Sequence, residues 1–288
     1  MMLVEKTFDT GEVIINYAES ADFGDSMLML HGVTARWQSC FPLLPYLILH
    51  WHVFAPDFRG HGKSGRVPGT YKIPSYVRDV KSFIQQVVQK PVVIFGHSLG
   101  GRVALSLANE LPAMVRALII ADTPLSQKSL ADQSDFFKTF GYWHELVLSK
   151  ISIDDMVAAL AAIPVSPSDP ESSLTFGQLP GWDQSYLRFT ARHLRLVDPE
   201  ILTEMEKGLA GLPNQMDVLD ILPQVNCPTL FLQGNPELGG LLREEDVVQA
   251  LSVMPTAFRV RIEHAGHDIH LDDAEATQRA VMLFLESM

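Results

Sequence analysis

Gly96-His97-Ser98-Leu99-Gly100 is the segment of this 288-residue chain whose residue types and spacing most directly suggest chemistry. A serine hydroxyl is a poor nucleophile at neutral pH and needs a base beside it. Ser98 follows Val92-Val93-Ile94-Phe95, a short β-branched, aromatic-ended run that reads as a strand buried on both faces. A segment with helical spacing, Arg102 to Leu111, begins directly after the turn. Strand, sharp G-x-S-x-G turn and helix is the setting in which a serine becomes a nucleophile. The strained turn lifts Oγ off the sheet, and the helix aims its first N–H groups and positive dipole end at the same spot. Gly96 and Gly100 stand where side chains would strike the neighbouring strand and helix.

The base must come from the ten histidines. His267, in Ala265-Gly266-His267, lies just past an apolar run that reads as the last strand, so its imidazole can hang over the sheet edge where Ser98 emerges. A metal cluster of His264, His267 and His270 is the competing reading. It is disfavoured because His264 would sit inside the strand and no acid or cysteine stands at ligand spacing; no metal site is expected.

These residues need a scaffold, and the apolar pattern supplies one. An opening hairpin turns at Asp9-Thr10-Gly11. Met27 to Gly32, Trp51 to Gly60, Val92 to Phe95 and Val115 to Pro124 read as buried strands, with a helical stripe from Ile73 to Val88 and another helix after Ser98 that Pro112 ends. Strand-helix alternation of this kind implies a parallel sheet with helices on both faces. The alternation stops from Leu125 to about Pro223, where helical segments and a proline-punctuated loop, Pro164 to Ser173, take over. It resumes with Cys227 to Gly234, a helix, the run Phe258 to His267 and a final helix from Asp272. The expected architecture is therefore α/β, with a mostly parallel, doubly wound sheet of about eight strands. Residues 1–124 and 224–288 form the core, and 125–223 form a helical cap inserted after the sixth strand.

Bulk properties narrow the function. A hydrophobic fraction of 47% fits a globular protein with a full core, and a formal charge of −12 argues against nucleic acid or an anionic membrane as partner. The N-terminal residues MMLVEKTFDTGE carry neither a basic nor an apolar leader region, and no apolar stretch reaches membrane-helix length. Cys40 and Cys227 are isolated and read as reduced thiols, so a cytoplasmic location is expected, as a monomer or homodimer.

Leu30-His31-Gly32, Asp57-Phe58-Arg59-Gly60-His61-Gly62-Lys63-Ser64, Gly96-His97-Ser98-Leu99-Gly100-Gly101 and Ala265-Gly266-His267 come in the order and spacing of one family. On these motifs the chain resembles the α/β-hydrolases over nearly its full length. The resemblance implies a triad in the order serine, acid, histidine, with the acid open between two positions. The family usually places an aspartate three residues past the glycine of the Cys227–Gly234 segment. Glu237 stands there in this chain and is the preferred acid, while Asp122, after the preceding strand, is the alternative. The resemblance also implies an oxyanion hole from the backbone N–H of Leu99 and of Val33. Asp57, Arg59 and His61 resemble the family's structural loop, and His31 is expected to brace the oxyanion loop. Trp37 and, in the insert, Trp143 are candidate walls of an apolar substrate pocket.

The combined expectation is a serine hydrolase that cleaves a small, largely apolar ester through an acyl-enzyme, with no organic cofactor. Lactonase, carbon–carbon hydrolase and perhydrolase chemistry remain open on the same residues. A ligand sensor with slow turnover is the alternative from another class.

Overall fold

The computed structural model describes residues 3–131, 134–169, 173–179, 181–206 and 218–288. Its centre is an eight-stranded sheet in the order β1-β2-β4-β3-β5-β6-β7-β8. The strands are β1 (Val4–Asp9), β2 (Ile14–Glu19), β3 (Asp25–Leu30), β4 (Trp51–Pro56), β5 (Val92–His97), β6 (Val115–Ala121), β7 (Thr229–Gly234) and β8 (Ala257–Ile262). β1 and β2 form the expected hairpin and β2 meets β4 antiparallel; every later pairing is parallel. The helices are α1 (Leu44–Leu47), α2 (Ile73–Phe83), α3 (Leu99–Glu110), α4 (Gln127–Ala131), α5 (Ser134–Ser149), α6 (Ile153–Ala161), α7 (Gln184–Leu194), α8 (Pro199–Glu206), α9 (Glu244–Val253), α10 (Ile269–Asp272) and α11 (Ala274–Glu286).

The central strands are apolar at every position because both faces are covered. Along β5, Val92 and Ile94 point into one apolar cluster, while Val93 and Phe95 point into the other. The same two-residue alternation splits β3, with Leu28 and Leu30 on one side and Met27 and Met29 on the other. The first cluster packs α2, α3 and the helical insert; the second packs α1 and α11. A fully buried side chain such as Phe95 contributes roughly 1.5–3 kcal/mol by leaving water.

Between β6 and β7 the described residues form helices and short turns, with one isolated bridge between Pro164 and Thr175. Of the stretch 125–223, residues 132–133, 170–172, 180 and 207–217 lie outside the described residues. The insert is tied to the core at both ends of α7. The Tyr186 hydroxyl donates to Asp268 Oδ2 at 2.5 Å, and beyond the C-terminal end the Asp198 amide donates to the Gly60 carbonyl at 2.8 Å. Tyr71 adds a 2.7 Å bond to Asp198 Oδ2.

One expected boundary moves. The last strand stops at Ile262, and His264 lies in an exposed turn instead of inside the strand. The chain bends there so that Ala265-Gly266-His267 can cross back over the ends of β7 and β5.

Candidate active site

Ser98 sits between the end of β5 and the start of α3 with φ 53° and ψ −112°. That conformation costs a residue with a side chain about 1–3 kcal/mol, and it is held by the surrounding bonds. The Ser98 amide donates to the Ala121 carbonyl at 3.0 Å, and the Gly101 and Arg102 amides return to the Ser98 carbonyl. Glycine is required at position 100 because a Cβ there would strike the backbone carbonyls of Leu30 and His31. A helix-interior glycine costs about 1 kcal/mol relative to alanine, so the helix trades propensity for this close approach.

The loop after β3 closes over the same point. A Cβ on Gly32 would lie 2.8 Å from His97 Nδ1 and 3.3 Å from Ser98 Cβ, so glycine lets this loop rest against the serine. Thr34 adopts φ 66° just beyond. Among the described residues neither the Val33 nor the Leu99 amide is engaged by another protein group. His31 is fully buried and braces the loop: its Nδ1–H donates to the Gly32 carbonyl at 2.7 Å, and its Nε2 accepts the Phe58 amide at 3.0 Å. Burial pushes His31 down to about 4, so it works as a neutral strut.

His267 lies in the loop after β8, and its Nδ1–H donates to Asp122 Oδ2 at 2.7 Å. A carboxylate only accepts, so this bond puts the proton on Nδ1 and leaves Nε2 with its lone pair. Burial is the largest influence on His267 and lowers its pKa. The Asp122 bond and the charges of Asp122, Asp268 and Asp272 outweigh it, and the pKa ends above 6.5. His97 holds the same loop, donating from Nε2 to the His267 carbonyl at 3.0 Å.

Asp122 follows β6 with φ 38° and no exposed surface. Its Oδ1 accepts the Gly234 amide at 2.9 Å and the Leu242 amide at 3.2 Å; its Oδ2 accepts the Leu241 amide at 2.7 Å together with His267. Glu237, the acid expected first, stands elsewhere. It is exposed on a short turn, Pro236–Leu238, whose start is capped by Asn235. The structure thus brings Asp122, not Glu237, to the ring of His267. The reason is register: β6 and β7 run side by side, with the Asp122 amide on the Leu232 carbonyl, and Asp122 leaves the sheet where the chain after β7 converges.

The two candidate pocket tryptophans lie apart. Trp37 belongs to the cluster on the α1/α11 side, with its indole N–H on Glu5 at 2.8 Å and its amide on Asp57 at 2.8 Å. Trp143, on α5, belongs to the other cluster and stacks edge-on against Phe140 at 5.3 Å. Asp57 braces loops as expected, accepting Trp37, Asn16 and Lys63. Arg59 is fully buried with both ends of its fork on Asp79 at 2.7 Å. Tyr186, an aromatic of the insert on α7, reaches the loop of His267. Its helical spacing with other apolar and aromatic residues is equally consistent with a substrate wall or with plain core.

Among the described residues no group of His, Cys, Asp and Glu is arranged to hold a metal ion, and no helix is long and apolar enough to cross a membrane. A mostly parallel eight-stranded sheet, a strained serine turn at the end of β5 and a histidine–aspartate pair over its edge define the hydrolase class of this architecture. The model of the alpha/beta hydrolase family matches residues 27–280, and the chain belongs to that family. It is 29% identical over 130 residues to a 2-(acetamidomethylene)succinate hydrolase from Mesorhizobium japonicum, covering 45% of this chain and 46% of that protein. It is 36% identical over 102 residues to a serine hydrolase-like protein of Danio rerio, covering 35% of this chain and 31% of that one. The chain thus spans less than half the length of both curated relatives. In three dimensions it resembles a crystal structure of E-2-(acetamidomethylene)succinate hydrolase, with a TM-score of 0.76, 22% identity, and coverage of 99% of this chain and 100% of that chain.

Proposed function

We propose that the protein is a serine hydrolase that cleaves a small acyl compound through an acyl-enzyme, with Ser98 as nucleophile, His267 as base and Asp122 as the orienting acid. The observation that carries this reading is the 2.7 Å bond from His267 Nδ1 to the fully buried Asp122, beside a serine held at positive φ.

The chemistry follows from these atoms. Ser98 Oγ attacks the substrate carbonyl carbon while His267 Nε2 takes its proton. The imidazolium that forms is stabilised by the Asp122 carboxylate, whose own charge is held by three backbone N–H groups. The new oxyanion accepts the Leu99 and Val33 amides, each worth about 100- to 1,000-fold in rate. His267 then gives the proton to the leaving group, the carbonyl re-forms, and a water activated by His267 releases the acid. The helical insert is read as a cap, with α7 as its roof. The name of the Mesorhizobium relative describes an acetamido compound, which supports amides as well as esters as substrates.

Intact-mass labelling by a fluorophosphonate tests the proposal. One label per wild-type chain and none on Ser98→Ala is the expected result; equal labelling of both would refute Ser98 as nucleophile.

A further inference from the structure

Arg36 lies four residues past Gly32, in the loop that rests against Ser98, and its position is fixed on both sides. The Ala35 amide turns back to the Gly32 carbonyl at 3.3 Å, and the Trp37 amide is held by Asp57 at 2.8 Å. Yet the Arg36 guanidinium has neither an ion pair nor a hydrogen bond among the described residues, and its Nε is buried without a partner. Arg59, a few residues along the fold's other loop, shows the ordinary outcome: every donor group is matched by Asp79, Thr70 or Glu12. The carboxylates nearest Arg36 are already used. Asp57 serves three donors, and Glu5 serves Lys63 and the Trp37 indole.

His193, on α7, is a second unmatched group. It is 5% exposed, and among the described residues its buried Nε2 has no hydrogen-bond partner. Burial first, and then the neighbouring Arg36 charge, push its pKa down to about 3, so the ring is neutral and can offer a single N–H. Arg192, the adjacent residue, is exposed and also lacks a carboxylate partner among the described residues. Burial lowers the Arg36 pKa, and the Arg192 charge lowers it further against the pull of Asp57 and Glu5. Two guanidinium groups and an imidazole N–H therefore lie within electrostatic reach of one another from two elements, and the carboxylates that also act on them, Asp57, Glu5 and Asp268, are engaged by other donors. Buried donors left unmatched are costly unless a ligand supplies the acceptors.

We propose that Arg36 and His193, with Arg192 at the mouth, form a subsite beneath α7 that binds a carboxylate carried by the substrate. The substrate class is then an acyl compound that is itself an organic acid: an ester or amide with a free carboxylate a few bonds from the reacting carbonyl. α7 also fixes the substrate's direction. Its Tyr186 end contacts Asp268, which lies 3.8 Å from His97, so that end of the cleft is acidic. His193 is seven residues on, about 10 Å along the helix axis. An anionic tail is repelled from Asp268 and drawn toward Arg36, which leaves the carbonyl over Ser98.

This inference rests on the serine hydrolase reading for the position of the carbonyl, but its test does not need turnover. Calorimetry measures glutarate binding to wild type, Arg36→Met, Arg36→Lys, His193→Gln and Arg188→Met, with thermal melts confirming that each is folded. Arg188 lies on α7 and is paired with Asp154, so it reports non-specific charge effects. The expected result is carboxylate-dependent binding, absent for butyramide, that weakens about 10- to 100-fold in Arg36→Met, less in Arg36→Lys, and not in Arg188→Met. Turnover of mono-p-nitrophenyl glutarate over p-nitrophenyl butyrate should fall by a similar factor in Arg36→Met. Absence of glutarate binding to wild type, or equal binding by wild type, Arg36→Met and His193→Gln, overturns the subsite. Retained glutarate binding with no fluorophosphonate labelling would instead overturn the hydrolase reading and leave the subsite standing.

Discussion

Replacing Asp122 by asparagine removes one of two acceptor oxygens from a group that receives four donors: His267 Nδ1 and the amides of Gly234, Leu241 and Leu242. The remaining oxygen can face the Gly234 and Leu242 pair, or His267 and Leu241, but not both. Two backbone donors hold the first arrangement, so the new NH2 points at His267 and Leu241. The ring then accepts at Nδ1 and carries its proton on Nε2, where it cannot take a proton from Ser98. A base in the wrong tautomer costs about 10⁴ in rate, or about 5.4 kcal/mol at the barrier. Loss of the bond from the Leu241 amide costs about 1–3 kcal/mol of stability, which lowers the melting temperature by roughly 2–10 °C. Glu237→Gln, at an exposed position, should stay within about 0.5 kcal/mol of wild type and keep its rate. Steady-state hydrolysis of a short p-nitrophenyl ester and a thermal melt read both quantities. A large rate loss in Glu237→Gln, with Asp122→Asn within tenfold of wild type, would refute the assignment of the acid.

The pKa of His267, raised above 6.5, sets two opposite pH trends. The charged ring's contribution to stability is complete below 6.5 and is lost as pH climbs through the folded value; catalysis needs the uncharged ring and appears over that same rise. A pH profile of kcat/KM should therefore show an apparent pKa above 6.5, and one below it would count against Asp122 facing the ring. Gly32→Ala places a Cβ 2.8 Å from His97 Nδ1 and 3.3 Å from Ser98 Cβ, so the Val33 amide shifts and kcat should drop about 100-fold; a change of less than threefold would detach this loop from the chemistry. Arg59→Met leaves the Asp79 carboxylate, only 4% exposed, without its partner and should cost about 3–5 kcal/mol in urea unfolding. A loss below about 1 kcal/mol would show the pair to be energetically idle.

What could be read from the chain alone was whatever depends on near neighbours in sequence. A glycine-flanked serine between a β-branched run and a helical stripe defines its own turn, because sterics within a few residues decide the backbone there. The same holds for the hairpin at Asp9-Thr10-Gly11 and for the two-faced burial of β3, β5 and β6, where unbroken apolar runs permit nothing but a covered sheet. Trp37 lay beyond such reading for the opposite reason. Local sequence does not say which side of a loop faces the core, and the Trp37 side chain packs in the cluster on the α1/α11 side with its indole N–H on Glu5.

Tertiary structure alone decided which carboxylate meets His267. Asp122 and Glu237 both follow strands at the carboxyl edge, and a family count from Gly234 favoured Glu237. The choice depends on how β6 and β7 align, and on where the Gly234, Leu241 and Leu242 amides converge, 112 to 120 residues away from Asp122. The unmatched donors of Arg36 and His193 are hidden from the sequence for the same reason. An arginine's partners are set by the packing of distant elements, and no local pattern reveals that it has none.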